Sequence, residues 1–216
     1  MSEFVVYTVP GSPYGRSVML ALEEKNAPYR IHSLEMGEHQ SDAHRQRHPF
    51  ARIPVIDHGD FRLYETQAIL RYIDAVVPGA HLQPVDPRAA GRMDQIMGVN
   101  DWYLFPDVSA AIVFQRIIGP VLMGLTPDEA AIAQAMPKAR TCIAELDRLL
   151  DDQIFLAGDS LSLADLMIAP QLDYLAQTPE GQDLLGGTAL GAWLARMAER
   201  PSMRATLPPE VFRSAA

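Results

Sequence analysis

The sequence predicts an α/β domain followed by an all-helical domain. Three observations support this prediction: a strand–helix–strand pattern over the first 34 residues, a hairpin and helix that end near residue 76, and no convincing strand pattern afterwards. We therefore expect residues 1–78 to form the first domain, residues 79–88 to form a linker, and residues 89–216 to form the helical domain.

The first three elements are typical of a βαβ unit. Residues 4–9 read Phe-Val-Val-Tyr-Thr-Val, a pattern typical of a strand covered by helices on both faces. Apolar residues at helical spacing predict a helix over residues 14–25, and residues 29–34 predict a second strand. Units of this length have parallel strands and a right-handed connection. A short polar helix is expected near residues 41–47.

A hairpin and a helix complete the first domain. Pro54 has no N–H to give to a sheet ladder, so it belongs at the first residue of a strand or at an edge of the sheet. Residues 55–56 and 62–64 are expected to pair through a turn at residues 57–60. Helical spacing resumes at Glu65 and predicts a closing helix to about residue 76.

The rest of the chain begins with a linker and continues with helices. Residues 78–87 contain three prolines and a glycine. Ser162 and Asp165 have the Ser-x-x-acid spacing of a helix start, which we interpret as structural. The expected helices span residues 88–114, 127–150, 161–176 and 189–200.

The composition is that of a soluble globular protein. The chain has 216 residues, 48% hydrophobic residues, a net charge of −9 and a pI near 5.1, which argues against nucleic acid or an anionic membrane as partner. No apolar run approaches the roughly 18 residues of a membrane span, and the N-terminus lacks the features of a signal peptide. The single cysteine, Cys142, fits a reducing cytosol, so we expect a cytoplasmic protein.

Two segments of the first domain predict a site for a peptide-like ligand. Pro54 holds Ile53 in an extended conformation and leaves the N–H and C=O of Ile53 unused. Glu65 and Thr66 open the closing helix, where backbone N–H groups attract a carboxylate. A free backbone edge beside a helix N-terminus suits the backbone and carboxylate of a peptide.

Residues 39–52 are basic in an otherwise acidic chain. They contain three arginines and three histidines against one acid, Asp42, and such a segment attracts a small anion. For Arg45 and Arg47 a solvated helix face explains the charge equally well. His44 and His48 are four residues apart, but no third ligand is in view, so we expect no metal site.

The motifs in order resemble those of the cytosolic glutathione transferases. The most specific are His-Gln-Ser-Asp-Ala-His at 39–44, His-Pro-Phe-Ala-Arg-Ile-Pro-Val at 48–55 and Glu-Thr-Gln-Ala-Ile at 65–69. They are similar to the phi class, with some theta-like and tau-like features and a bacterial-type character. Phe-Leu-Ala-Gly-Asp-Ser-Leu-Ser-Leu-Ala-Asp at 155–165 matches the family's helical-domain signature. The resemblance covers nearly the whole chain and implies a thioredoxin-like first domain.

The resemblance implies a role for each residue of a glutathione site. Pro54 corresponds to the family's cis-proline and turns the Ile53 backbone toward the cysteinyl part of glutathione. Glu65 and Thr66 correspond to the residues that hold the γ-glutamyl end. His39 and Gln40 correspond to the residues that bind the glycyl carboxylate, and Arg52 is nearby. Gln40 stands where the family has lysine, which removes a positive charge from that contact.

Ser12 is the leading candidate for the residue that activates the thiol of glutathione. The thiolate is the nucleophile, and a hydroxyl donor at a helix N-terminus favours it. Ser12 follows the first strand and precedes the first helix, like the serine of the theta and phi classes, although Ser17 stands where those classes have arginine. Tyr7 and Tyr14 are alternative hydroxyl donors. Cys142 is expected to be buried rather than reactive.

The expected function is conjugation of the glutathione thiolate to an electrophilic, hydrophobic second substrate. The same site would also suit a glutathione-dependent peroxidase or a non-catalytic glutathione-binding or ligand-binding module. The family implies a homodimer. The candidate residues of the second-substrate pocket are Trp102, Tyr103, Phe105, Phe114 and Met123.

Overall fold

The computed structural model describes residues 2–213, which divide into two compact units. The first runs to Leu82 and also contains Pro201–Pro208, and the second runs over Gln83–Arg200 and resumes at Pro209. The predicted fold class, a thioredoxin-like α/β domain with an all-helical domain, is confirmed.

A four-stranded mixed sheet forms the centre of the first unit, in the order β2-β1-β3-β4. Its strands are β1 (Phe4–Thr8), β2 (Tyr29–Ser33), β3 (Val55–His58) and β4 (Phe61–Tyr64). β1 is parallel to β2 and antiparallel to β3, which is antiparallel to β4. β3 reaches His58, two residues beyond the prediction, because the turn is confined to Gly59 and Asp60 and Gly59 takes the positive φ of 66°.

Three helices accompany the sheet: α1 (Pro13–Glu24), α2 (Asp42–Arg45) and α3 (Thr66–Val76). A single 3₁₀ turn, Glu38–Gln40, precedes α2. α1 packs against β1 and α3, and the apolar residues of these elements are buried together. The core of the unit is formed by Phe4, Val6, Val18, Leu20, Leu22, Val55, Ile56, Ile69, Leu70 and Ile73.

The second unit is helical. Its helices are α4 (Pro87–Val99), a wider π-helical segment (Asn100–Ile118), α5 (Gly119–Met123), α6 (Glu129–Leu150), α7 (Leu163–Leu175), α8 (Pro179–Leu185) and α9 (Ala189–Ala198). The sequence analysis did not predict α8, which is only seven residues long. A final short helix, α10 (Pro201–Ala205), belongs to the first unit. α7 is largely apolar, and every one of its residues except Asp173 is buried, so all of its faces pack inside the unit.

The helical run that begins at Pro87 is longer than the sequence predicted. It continues to Met123 and is long and apolar enough to cross a membrane by length and composition alone, so our expectation that no segment meets that criterion was wrong. Core helices of soluble proteins meet it as well. Leu104, Ile112 and Ile117 of this run are fully buried, and the π-helical segment packs against α6 and α7. One face of the run is therefore packed inside the second unit, while 39% of its apolar window is buried in all.

Asp165 has the structural role that the sequence indicated. Its carboxylate is fully buried and accepts hydrogen bonds from the backbone N–H groups of Leu156 and Ser162, the Ser162 hydroxyl and the Trp193 indole N–H. Burial raises the pKa of Asp165, although these four donors oppose the shift. The carboxylate thus joins the start of α7 to the preceding loop and to α9.

Candidate active site

The register of the sheet brings the candidate segments of the first unit to one end. Tyr7 of β1 pairs with Val55 of β3, and Val55 pairs with Tyr64 of β4. Because these neighbours are antiparallel, the end of β1, the start of β3 and the end of β4 lie at the same edge of the sheet. The chain next to this row contains Ser12, Ile53 and Glu65. β2 is parallel to β1, so the chain toward His39 also leaves the sheet there.

Ser12 is the N-cap of α1. Its backbone is extended, with φ −64° and ψ 120°, and its Oγ accepts a hydrogen bond from the Gly15 N–H at 3.1 Å. This bond uses a lone pair and leaves the hydroxyl proton available. Pro13 occupies the first turn, where its missing N–H is harmless. Ser12 therefore presents a half-buried hydroxyl at the positive end of a 12-residue helix.

Gly15 allows the start of α1 to approach β1 closely. A Cβ at this position would lie 2.1 Å from Thr8 Oγ1, a distance that real atoms do not reach. Thr8 is buried, so it has little room to move away. The glycine therefore fixes how far the Ser12 hydroxyl stands from the end of β1.

The backbone before β3 is free to bind a ligand. The Ile53–Pro54 peptide bond is cis, as predicted. Among the described residues, 2–213, no partner is found for the Ile53 N–H or C=O. The preceding carbonyl, that of Arg52, accepts a hydrogen bond from Nε2 of the fully buried His44 at 2.8 Å. His44 thereby fixes the orientation of the Arg52–Ile53 peptide.

α3 begins at Thr66 without a side-chain cap. Its preceding residue, Glu65, has φ 70° and ψ 113°, an unusual conformation for a residue with a side chain, and caps nothing. By contrast, Asp86 caps α4 and Asp128 caps α6. The first N–H groups of α3 are therefore suited to an incoming carboxylate, beside the buried Thr66. The exposed Glu65 carboxylate lies 3.9 Å from Nε2 of His48.

His39 and Gln40 lie in the 3₁₀ turn before α2. Nδ1 of His39 is buried and has no hydrogen-bond partner within residues 2–213. The exposed Gln40 side chain accepts a hydrogen bond from Arg45 Nη2 at 2.9 Å, and its backbone carbonyl accepts one from Arg45 Nε at 3.2 Å. Arg52 is exposed. Arg45 and Arg52 therefore give a positive charge to the segment that follows β2 and precedes β3.

Comparison with known proteins identifies the family. Residues 6–81 match the profile described as glutathione S-transferase, N-terminal domain, and residues 129–196 match glutathione S-transferase, C-terminal domain. A glutathione S-transferase from Hyoscyamus muticus is 30% identical over 88% of this chain and 91% of its own. The chain belongs to the glutathione S-transferase family.

Other relatives support the phi-like resemblance of this transferase. Glutathione S-transferase F7 from Arabidopsis thaliana is 29% identical over 96% of this chain and 100% of its own. The crystal structure of glutathione transferase F7 from Populus trichocarpa superposes with a TM-score of 0.84 at 27% identity, covering 94% of this chain and 97% of that one. Glutathione S-transferase I from mais (maize), in complex with an atrazine glutathione conjugate, gives 0.83 at 27% identity and covers 99% of both chains. The bacterial-type qualifier stays a prediction.

The Tyr7 hydroxyl of this transferase is already engaged. It donates to Asp57 Oδ2 at 3.0 Å, and two nitrogens of Arg62 donate to the same carboxylate at 2.7 Å. The guanidinium of Arg47 lies 4.8 Å from the centroid of the Tyr7 ring. The hydrogen bond from Arg62 lowers the pKa of Asp57, with a smaller contribution from Tyr7. Tyr7 thus belongs to a charged cluster on the sheet. Tyr14 lies in the first turn of α1, two residues after Ser12.

The remaining candidates of the transferase lie in the helical unit. Trp102 and Tyr103 are 77% and 57% exposed, and Met123 is 55% exposed. Such large apolar side chains are available to a ligand or a partner. Cys142 is buried, as expected, and burial raises the pKa of its thiol to about 12, so it is a poor nucleophile.

Sequence reasoning missed two residues of the transferase that shape the candidate site. His44 was considered only as half of a metal pair, yet it holds the Arg52 carbonyl. Arg16, which precedes Ser17 and was given no role, is buried and donates to the Met203 carbonyl at 3.0 Å, within the first unit. Neither contact follows a periodic pattern: His44 of α2 reaches a loop carbonyl eight residues on, and Arg16 of α1 reaches α10, 187 residues away.

Proposed function

We propose that this protein conjugates the thiolate of glutathione to electrophilic, hydrophobic compounds. The observation that supports this most strongly is the row Tyr7–Val55–Tyr64, which gathers a helix-capping hydroxyl, an unpaired backbone segment and an uncapped helix start at one edge of the sheet. A tripeptide thiol needs those three features: a donor for its sulfur, a strand-like partner for its backbone and N–H groups for its carboxylate.

Ser12 is proposed to activate the thiol. A thiol with a pKa of about 8.5 is only a few per cent ionised at neutral pH. A hydroxyl that donates to the sulfur at the N-terminus of α1 stabilises the thiolate and lowers that pKa. Ser12 is preferred to Tyr7 because its proton is available, whereas the Tyr7 proton is directed at Asp57.

Glutathione itself is proposed to lie across the edge of the sheet. The cysteinyl part pairs with the Ile53 backbone beside Pro54. The γ-glutamyl end places its ammonium at Glu65 and its carboxylate at the Thr66 hydroxyl and the first N–H groups of α3. The residues proposed for the glycyl carboxylate are His39, Gln40 and Arg52.

Replacement of Ser12 tests the proposed function. The purified protein should conjugate glutathione to a chromogenic aryl halide and bind glutathione with a lowered thiol pKa, measured from the ultraviolet absorbance of the thiolate. Ser12→Ala should lower kcat/KM at neutral pH about 10- to 100-fold, because a hydrogen bond to a charged group is lost. Ser12→Thr keeps the hydroxyl and should retain most activity.

Ser17→Ala is the matched control. Its hydroxyl also lies on α1 but donates to the Pro13 carbonyl at 3.1 Å, so its removal should leave the thiol pKa unchanged. Thermal unfolding of each variant separates loss of the cap, about 1 kcal/mol, from loss of chemistry. An inactive wild-type protein that binds glutathione without lowering its thiol pKa would instead be a binding module. Faster turnover of a hydroperoxide than of any aryl halide would point to a peroxidase.

The proposed molecule is a cytoplasmic homodimer. Its domains are taken as residues 1–78 and 89–216, joined by residues 79–88. The single cysteine, which is buried, and the dimers typical of the family support this proposal. Light scattering from the purified protein should give a mass near twice 23.8 kDa. A mass of one chain at micromolar concentration would contradict it.

A further inference from the structure

Arg45 contacts Gln40, the neutral residue that stands where the family has lysine at the glycyl end of the candidate site. Gln40 is neutral, and both of its oxygens accept hydrogen bonds from the Arg45 side chain, at 2.9 Å and 3.2 Å. The guanidinium is therefore held on Gln40, the residue that follows His39. Although these two residues are five apart in sequence, the 3₁₀ turn and the start of α2 bring them together.

The Arg45 guanidinium has donors left over for a ligand. A guanidinium carries five N–H donors in a planar fork, and only two are accounted for by Gln40. Within residues 2–213 no ion pair joins Arg45 to Glu38 or to Asp42, and the Glu38 carboxylate accepts a hydrogen bond from the Glu35 N–H at 2.8 Å. In the same 3₁₀ turn, Nδ1 of His39 is buried and has no hydrogen-bond partner within residues 2–213.

We propose that Arg45 binds the glycyl carboxylate of glutathione, supplying from α2 the charge that Gln40 does not carry. This proposal rests on the proposed function. Its hydrogen bonds to Gln40 hold the guanidinium in place, and its remaining N–H groups can bind a planar anion. Paired guanidinium donors match the two oxygens of a carboxylate. Arg45 is thus a specificity residue: it makes the protein prefer a thiol peptide that ends in a carboxylate over one that ends in a neutral group.

The experiment compares glutathione with its glycinamide analogue, in which the carboxylate is replaced by a neutral amide. Arg45→Gln should raise KM for glutathione about three- to tenfold with little change in kcat, because the contact is equal in ground and transition states and partly exposed. KM for the amide should not change. Calorimetric titration with each peptide provides a readout independent of turnover.

Two further variants separate a direct contact from a general charge effect. Arg47→Gln removes the same charge two residues away, where the guanidinium donates to the Ala43 carbonyl and lies over the Tyr7 ring, and should leave the ratio of the two KM values unchanged. Adding Gln40→Lys to Arg45→Gln should restore the preference for glutathione, because the cation returns at the neighbouring position.

The outcomes also separate this inference from the proposed function. A wild-type protein that neither binds nor uses glutathione overturns both. An active wild type in which Arg45→Gln weakens glutathione and its amide equally, or in which Arg47→Gln has the same effect as Arg45→Gln, overturns only the role of Arg45. Thermal unfolding of Arg45→Gln should match the wild type, since Arg45 is exposed at the end of α2. Unfolding of Arg47→Gln is measured alongside it, because Arg47 follows α2 and is half-buried over the Tyr7 ring.

Discussion

At the scale of single residues, the candidate site is defined by polar groups that lack partners. Most helices begin with a side chain that accepts their first N–H groups, but α3 does not, and Glu65 before it has φ 70°. Such a conformation costs about 1–3 kcal/mol and persists only where the surrounding structure imposes it. Together with the unpaired Ile53 backbone, this indicates a surface prepared for a ligand rather than for folding alone.

His44 is predicted to orient one of those unpaired groups. A carbonyl can only accept, so Nε2 of His44 carries the proton that reaches the Arg52 carbonyl at 2.8 Å. The C=O and the following N–H of a trans peptide point in opposite directions, so this bond turns the Ile53 N–H away from His44.

Replacement of His44 should therefore affect binding of glutathione more than chemistry. His44→Leu removes the donor and should raise KM for glutathione about fivefold, with a loss of about 1–3 kcal/mol in the free energy of unfolding. His44→Gln keeps an N–H donor and should recover most of the binding. Steady-state kinetics and urea unfolding provide the two readouts. Equal KM values in the two variants would show that the hydrogen bond does not orient Ile53.

At the scale of elements, a buried ion pair joins α1 to α3 and to the chain that follows it. Lys25 Nζ donates to Asp74 Oδ1 at 3.0 Å and to the Ala80 carbonyl at 2.9 Å, and the Leu82 N–H donates to the same carboxylate oxygen at 2.9 Å. The two charged side chains are 1% and 2% exposed. The pair thus fixes the two helices whose N-termini carry Ser12 and Thr66.

Breaking this pair should destabilise the first unit strongly. Lys25→Met leaves the Asp74 carboxylate buried without its cation and should lower the free energy of unfolding by about 3–5 kcal/mol in urea. The double variant Lys25→Met/Asp74→Leu should lose less, because no charge remains buried. Arg148→Met, which breaks an exposed pair with Glu145, serves as the control and should unfold like the wild type. A small effect of Lys25→Met alone would contradict this account.

At the scale of the whole molecule, the chain has a net charge of −9, and several carboxylates are stabilised by arginines. Hydrogen bonds from Arg116 lower the pKa of Glu180 and of Glu129, and one from Arg62 lowers that of Asp57. A carboxyl group whose pKa is lower in the folded state contributes stability above its unfolded pKa and loses that contribution as pH falls through the folded pKa.

Stability should therefore decline below about pH 4, the unfolded pKa range of these carboxyl groups. Arg116→Gln removes the cation from Glu180 and Glu129, so it should be less stable than the wild type at pH 7. The two proteins should converge as the pH falls through the lowered pKa values. Urea midpoints measured from pH 7 to pH 2 test this, and the comparison cancels the general effect of net charge. A difference that stayed constant down to pH 2 would refute the linkage.

The sequence alone predicted most of the elements because their signals are local. Apolar periodicity located β1, α1, α3 and the long helices, and the position of Pro54 marked the start of β3. It failed where the local signal is weak or absent. The seven residues of α8 are too few for a clear period, and no pattern in the sequence indicates that Pro201–Pro208 returns to the first unit.

What the sequence determined by itself is therefore the order of elements, the family motifs and the position of Ser12 between β1 and α1. Only the tertiary structure decided that the Tyr7 proton is directed at Asp57, 50 residues away, that His44 holds the Arg52 carbonyl and that Arg45 rests on Gln40. The physical reason is the separation along the chain over which each kind of signal acts. Helix and strand patterns depend on neighbours within a few residues, whereas the pairing of Tyr7 with Val55 joins segments that are far apart in the sequence, and that pairing brings the candidate site together.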